Sequence, residues 1–201
     1  MNFILNRLLQ SAFLIAFSVM ATPACSGDLS AEQIAKLASG GALVAVNPDD
    51  GEGDGHIEAA IDIPAPPSRV FAVMLDCEQA MKFLPNLKSC KILQRSADGL
   101  TDVREHRSAW LSILPEMVSV FRSTYVKDRE IRFEKAGGDF RYMKGSWKLE
   151  PIQNGAATRV FYDAHIGMNA PVPAFLIRSA LEQDVPKLLN GLKLAVTHSA
   201  P

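Results

Sequence analysis

Several common signals are missing from this 201-residue chain. There are three cysteines, aromatic residues make up 7%, and no block of lysine and arginine occurs anywhere. Twenty-one basic against twenty-two acidic side chains give a net charge of −1. That balance argues against non-specific nucleic-acid binding, which needs many phosphate-neutralising cations on one face. Four zinc ligands are not available near any of the cysteines. No Gly-x-Ser-x-Gly elbow, His-Glu-x-x-His helix or Gly-x-x-x-x-Gly-Lys loop is present. Asp50, Glu52 and Asp54 with Gly51, Gly53 and Gly55 mimic the start of a calcium loop. Ile61 stands where that loop needs a bidentate glutamate, and the glycine spacing does not match a dinucleotide fingerprint. The sequence therefore names no catalytic residue, cofactor or metal. What it does hold is 48% hydrophobic residues, which excludes intrinsic disorder and fits one domain with a real core.

The only long apolar run is 8–19, preceded by Arg7 and followed by small residues. It is short for a membrane span, which needs about 20 residues, and has the order of a secretory signal. We expect residues 1–24 to be a signal peptide, with cleavage after Ala24 or Ala21. An uncleaved anchor, or a lipid on Cys25, is the alternative. The protein would then act outside the inner membrane, in the periplasm. Cys77 and Cys90 would meet an oxidising compartment thirteen positions apart, so a disulfide is expected, with two buried thiols as the alternative.

From residue 89 onward, apolar runs alternate with breakers such as Asp98-Gly99 and Asn154-Gly155, the latter two being strong hairpin signals. Six strands follow, at about 89–96, 101–112, 116–126, 129–136, 141–152 and 157–168. Another strand precedes them at 56–63, where Ile57, Ala59, Ile61 and Ile63 alternate with wetter positions. Pro67 opens a short helix at 68–75, and Asp76 caps a second one that Pro85 stops. Ser30 and Gln33 form the box of a further small helix. Along about 174–197, Ile177, Leu181, Val185, Leu188, Leu192 and Val196 make one apolar stripe, with a kink expected at Pro186. Residues 25–55 read as an N-terminal extension with a Gly/Asp-rich loop, and 56–198 as the domain.

This order, together with Ile63-Pro64-Ala65-Pro66, Arg69-Val70-Phe71, Leu75-Asp76, Phe83-Leu84-Pro85, Gly145-x-Trp147-x-Leu149-x-Pro151 and Thr158-Arg159-Val160, resembles the START-like, or SRPBCC, superfamily. The local phrasing is similar to its bacterial coenzyme-Q-binding and polyketide-cyclase-like branch. The resemblance spans about 56–198. It implies an α+β helix-grip fold: a seven-stranded curved antiparallel sheet around the long C-terminal helix, with two short helices after the first strand. Such a sheet cannot fill its interior with side chains, so an elongated apolar cavity is expected.

Candidate wall residues are Phe71, Met74, Phe83, Leu84, Phe121, Tyr125, Phe133, Met143, Trp147, Tyr162, Ile177, Leu181 and Leu188. On the 101–112 strand, Glu105 and Arg107 share one face and Arg104 and His106 the other. The alternation does not say which set approaches the cavity; Glu105 and Arg107 are carried as head-group candidates. Phe175 and Leu176, in the Pro-rich 169–176 segment, are expected at a gate or membrane-touching rim. The expected partner is a hydrophobic small molecule: a lipid, a sterol or hopanoid, or an isoprenoid quinone. Transient membrane contact is expected, and nucleic acid is not. Two other classes stay open. One is a cyclase or dehydratase using dispersed residues such as Glu105, Arg107 and His165; the other is an interaction module with a closed cavity.

Overall fold

The computed structural model describes residues 29–49, 54–109, 116–169 and 172–198. The expected signal segment, Cys25, and much of the Gly/Asp-rich loop lie outside the described residues. No helix among the described residues is long and apolar enough to cross a membrane.

Helix α1 (Ala31–Ala38) starts at a capping box. The Ser30 hydroxyl accepts from the Gln33 N–H at 3.2 Å, and the Gln33 side chain accepts from the Ser30 N–H at 2.8 Å. Strand β1 (Ala42–Asn47) follows, and then β2 (Gly55–Ile63). Pro67 opens α2 (Pro67–Leu75), which runs almost directly into α3 (Cys77–Phe83). Asp76 caps α3, its carboxylate accepting from the Glu78 N–H at 2.7 Å and the Gln79 N–H at 3.3 Å. The meander is β3 (Leu87–Arg95), β4 (Thr101–Ser108), β5 (Met117–Val126), β6 (Glu130–Gly138), β7 (Phe140–Ile152) and β8 (Ala157–Met168). Helix α4 (Ala174–His198) closes the fold.

The eight strands among the described residues join one antiparallel sheet in the order β1-β2-β8-β7-β6-β5-β4-β3. The expected count of seven is one short. The additional strand is β1, whose Ala42 to Asn47 pair with Ile61 to His56 along the free edge of β2. It was missed because it is six residues long and only half-buried, so its alternation is weak. A boundary at residue 56 therefore cuts a hairpin: the segment before it supplies an edge strand to the same sheet.

Helix α4 presents Ile177, Leu181, Val185, Leu189, Leu192 and Val196 to the core. The fully buried member of its middle turn is thus Leu189, not Leu188, which is only half-buried. The helix runs unbroken through Pro186. It packs on β1, β2, α2 and α3, where Gly191 lets the α3 backbone approach: a Cβ there would lie 2.9 Å from the Phe83 carbonyl oxygen. Among the described residues, α2 reaches β7 and β8, whereas the inner face of β4–β6 has no helix lying closely on it. That offset is what opens the interior. Cys77 at the start of α3 and Cys90 on β3 form a disulfide, with Cα atoms 5.4 Å apart, tying the helix pair to the edge strand.

Candidate functional site: an apolar cavity with a polar strip

A cavity of about 230 Å³ lies between the inner face of β4–β8 and helices α2, α3 and α4. Its wall is built by strand register. Met143, Trp147 and Tyr162 share one face because Met143 pairs with Ile166 and Trp147 with Tyr162 across β7 and β8. The Trp147 and Tyr162 rings stack at 3.9 Å, Tyr162 lies 6.3 Å from Phe133, and Phe133 meets Phe121 edge-on at 6.3 Å. Gly145 leaves room for this row, since a Cβ there would strike the Phe133 ring and the β8 backbone. Leu181, Val185 and Leu188 close the cavity from α4, and Met74 and Phe83 from the short helices.

One end is polar. Arg104, His106 and Ser108 of β4 line the cavity with Ser119 and Ser123 of β5. Arg104 is almost fully buried and donates to both oxygens of buried Asp102, at 3.0 and 2.9 Å, and to the Tyr125 hydroxyl at 3.1 Å. Burial works against the Arg104 charge, but the hydrogen bonds and electrostatic attraction of Asp102 and Tyr125 outweigh it and raise its pKa. Burial pushes the Tyr125 hydroxyl up to about 12, and burial likewise pushes Tyr162 well up, so both phenols stay protonated. Burial, reinforced by Arg104, holds His106 down at about 4, leaving a neutral imidazole near pH 7. Its Nε2 is shielded from water and has no hydrogen-bond partner among the described residues. Phe121 packs edge-on to that ring at 4.8 Å.

The α3–β3 turn marks the mouth. Ala109 donates to the Asn86 carbonyl at 3.0 Å, and the Asn86 amide reaches Asp184 at 3.4 Å. Leu84, Pro85, Ser108 and Asp184 gather there, all partly exposed.

Among the expected wall residues, Met74, Phe83, Leu84, Phe121, Tyr125, Phe133, Met143, Trp147, Tyr162, Leu181 and Leu188 line this cavity. Phe71 and Ile177 do not: both are buried in the core, Phe71 edge-on to Tyr125 at 6.1 Å. Phe175 is 60% exposed and lies outside the wall. Glu105 and Arg107 are on the wrong face, paired with each other at 2.9 Å on the outer side of β4. Register decides this. Phe121 faces inward and pairs with Arg104, so Arg104 and His106 turn inward and Glu105 and Arg107 outward. His165 also lies on the outer face, opposite His56 on β2. The inward β4 set was missed because parity along a strand gives two faces without saying which is inside.

A curved sheet gripping one long helix, with an apolar cavity between them, defines a helix-grip ligand-binding protein. The chain belongs to the family described as polyketide cyclase/dehydrase and lipid transport, whose model matches residues 63–193, and with it to the START-like, or SRPBCC, superfamily. Solved structures share the fold. A START superfamily protein from Mycobacterium smegmatis is 17% identical, with 71% of this chain and 97% of that one covered and a TM-score of 0.62. A STAR-related lipid transfer protein from Xanthomonas axonopodis is 18% identical, with 79% and 94% covered and a TM-score of 0.68. The Zhui aromatase/cyclase from Streptomyces sp. R1128 is 15% identical, with 71% and 93% covered and a TM-score of 0.61. No curated protein matches the chain.

Proposed function

We infer that this protein binds a neutral hydrophobic molecule carrying one polar group, and that it carries lipids of this kind outside the inner membrane. The observation behind this reading is the cavity's composition. Its wall is mostly aromatic and aliphatic, its arginine is already matched by Asp102, and the Nε2 of a neutral His106 is a buried polar atom without a partner among the described residues. A hydroxyl or carbonyl on a sterol, hopanoid or isoprenoid quinone would satisfy Nε2, while the rest of the ligand would gain about 25 cal/mol per Å² buried. The family's description names lipid transport, and the N-terminal pattern of Arg7 and the 8–19 apolar run supports export. Phe175 and Leu176 are exposed on the first turn of α4, about 14 Å along the helix from Asp184 at the mouth, and suit brief membrane contact.

Native mass spectrometry of the purified protein, followed by organic extraction, tests this reading. A stoichiometric apolar ligand, lost in a Ser119→Phe variant that fills the cavity, is expected. A protein that stays empty when offered lipid vesicles would overturn it. Export is tested separately by fusing residues 1–30 to a reporter that folds only outside the cytoplasm; an inactive fusion would remove that part.

A cyclase or dehydratase reading is also supported by the family's description. Its residues would be Arg104 and His106, because Glu105, Arg107 and His165 face away from the cavity. Turnover of a polyketide-like substrate, lost in His106→Ala, would favour it.

A further inference from the structure

The outer face of the sheet, remote from the cavity, carries a second cluster. His56 of β2 and His165 of β8 are direct cross-strand partners, and their rings stack at 4.1 Å with planes 4° apart. Asp163 stands two residues before His165 on β8, so it projects from the same face. One of its oxygens is 2.9 Å from His56 Nε2 and the other 3.9 Å from His165 Nε2. The three ligand atoms all lie within 4.8 Å of one another.

The far side of His165 explains how the cluster is set. Its Nδ1 lies 3.1 Å from a carboxylate oxygen of Asp49, a side chain only 6% exposed. In the neutral tautomer that donates Nδ1–H to Asp49, the lone pair sits on Nε2, on the Asp163 side of the ring. Nε2 and that Asp163 oxygen stand 3.9 Å apart, longer than a direct hydrogen bond. A buried carboxylate holding the outer nitrogen of a histidine is also how metal-binding imidazoles are oriented.

We propose that His56 Nε2, His165 Nε2 and the Asp163 carboxylate bind a divalent first-row transition ion of the zinc type, with Asp49 as the positioning residue. Two imidazoles and one carboxylate are the donor set such ions take, whereas calcium and magnesium require mostly oxygen. Bond lengths of about 2.0–2.1 Å place donor atoms roughly 3.3 Å apart in a tetrahedron. Binding requires both rings to tilt out of their parallel stack, so that the two in-plane Nε2 lone pairs converge on the ion. Three protein ligands leave the fourth position to water on the solvent side. Lys144 pairs with His165 across β7 and β8, and its charge opposes the bound cation.

Equilibrium dialysis of the purified full chain, carrying no histidine tag, against Zn²⁺ tests this directly. One equivalent is expected to bind, with affinity falling at least tenfold in His56→Gln, His165→Gln and Asp163→Asn, and about 10–100-fold in Asp49→Asn. Lys144→Met should bind more tightly, and His198→Gln, at the far end of α4, should bind as the parent does. Absence of saturable binding, or parent-like affinity in the His56 and His165 variants, would overturn the site. Co²⁺ substitution gives a check without variants: a four-coordinate visible spectrum in the parent protein supports it, and a purely aquo-ion spectrum at saturation refutes it.

Discussion

Arg104 Nη2 lies 2.8 Å from Asp102 Oδ2, with 5% and 0% of the two side chains exposed. Both belong to β4 and both turn to its inner face, where Tyr125 completes the arrangement. A buried pair of this kind adds little net stability, because desolvation offsets attraction, but removing one partner strands a charge. Asp102→Asn is therefore expected to cost about 3–5 kcal/mol in urea unfolding. Asp102→Leu combined with Arg104→Met should recover most of that loss; a double variant as unstable as the single one would contradict the explanation.

His106 makes stability depend on pH. Its pKa is about 4 in the folded protein and 6.5 when unfolded, so between these values the unfolded state binds the extra proton. The stability is fully present above about pH 6.5 and is lost as pH falls toward 4, by about 2–4 kcal/mol in all. Between pH 7 and pH 4.5 the parent should lose about 2–3 kcal/mol more stability in urea unfolding than His106→Phe does. Parallel curves would show that His106 is not the group responsible.

Gly191 sits mid-helix, where alanine ordinarily gains about 1 kcal/mol. Here the added Cβ meets the Phe83 carbonyl oxygen at 2.9 Å and its Cα at 3.1 Å, backbone atoms that cannot rotate away. Overpacking costs about 1–3 kcal/mol, so Gly191→Ala should be net destabilising, and Gly191→Val more so. A rise in melting temperature for the alanine variant would mean that α3 and α4 part easily.

The Cys77–Cys90 bridge closes a loop of separation 13. Chain entropy puts its contribution at about 3 kcal/mol. Reduction, or Cys77→Ser with Cys90→Ser, should lower the urea midpoint accordingly while leaving far-UV circular dichroism unchanged at low denaturant.

Phe175 and Leu176 are 60% and 45% exposed, so replacing both by serine should leave thermal stability within about 0.5 kcal/mol of the parent. Lipid transfer between vesicles should slow several-fold in the same variant. Unchanged transfer would remove the first turn of α4 from the membrane-contact proposal.

Local chemistry made most of the elements readable. Asp98-Gly99 and Asn154-Gly155 punctuate the β3–β4 and β7–β8 hairpins, with Gly99, Asn154 and Gly155 all at positive φ. Pro67 starts α2, Asp76 caps α3, and the period of the apolar stripe marks α4. Strand β1 escaped because a half-buried edge strand owes its existence to the β2 backbone it pairs with, and its own residues carry little of that information.

Sequence by itself determined the succession of strands and helices apart from β1, the period of the α4 stripe and most of the aromatic wall, because these rest on periodicity and turn chemistry within short windows. Tertiary structure alone decided that Arg104 and His106, rather than Glu105 and Arg107, face the cavity, since that follows from the pairing of Arg104 with Phe121. It also brought His56 against His165, residues 109 positions apart whose meeting depends on β2 closing onto β8. A period of two sorts a strand into faces, but only the register of the assembled sheet says which face is inside and which distant side chains become neighbours.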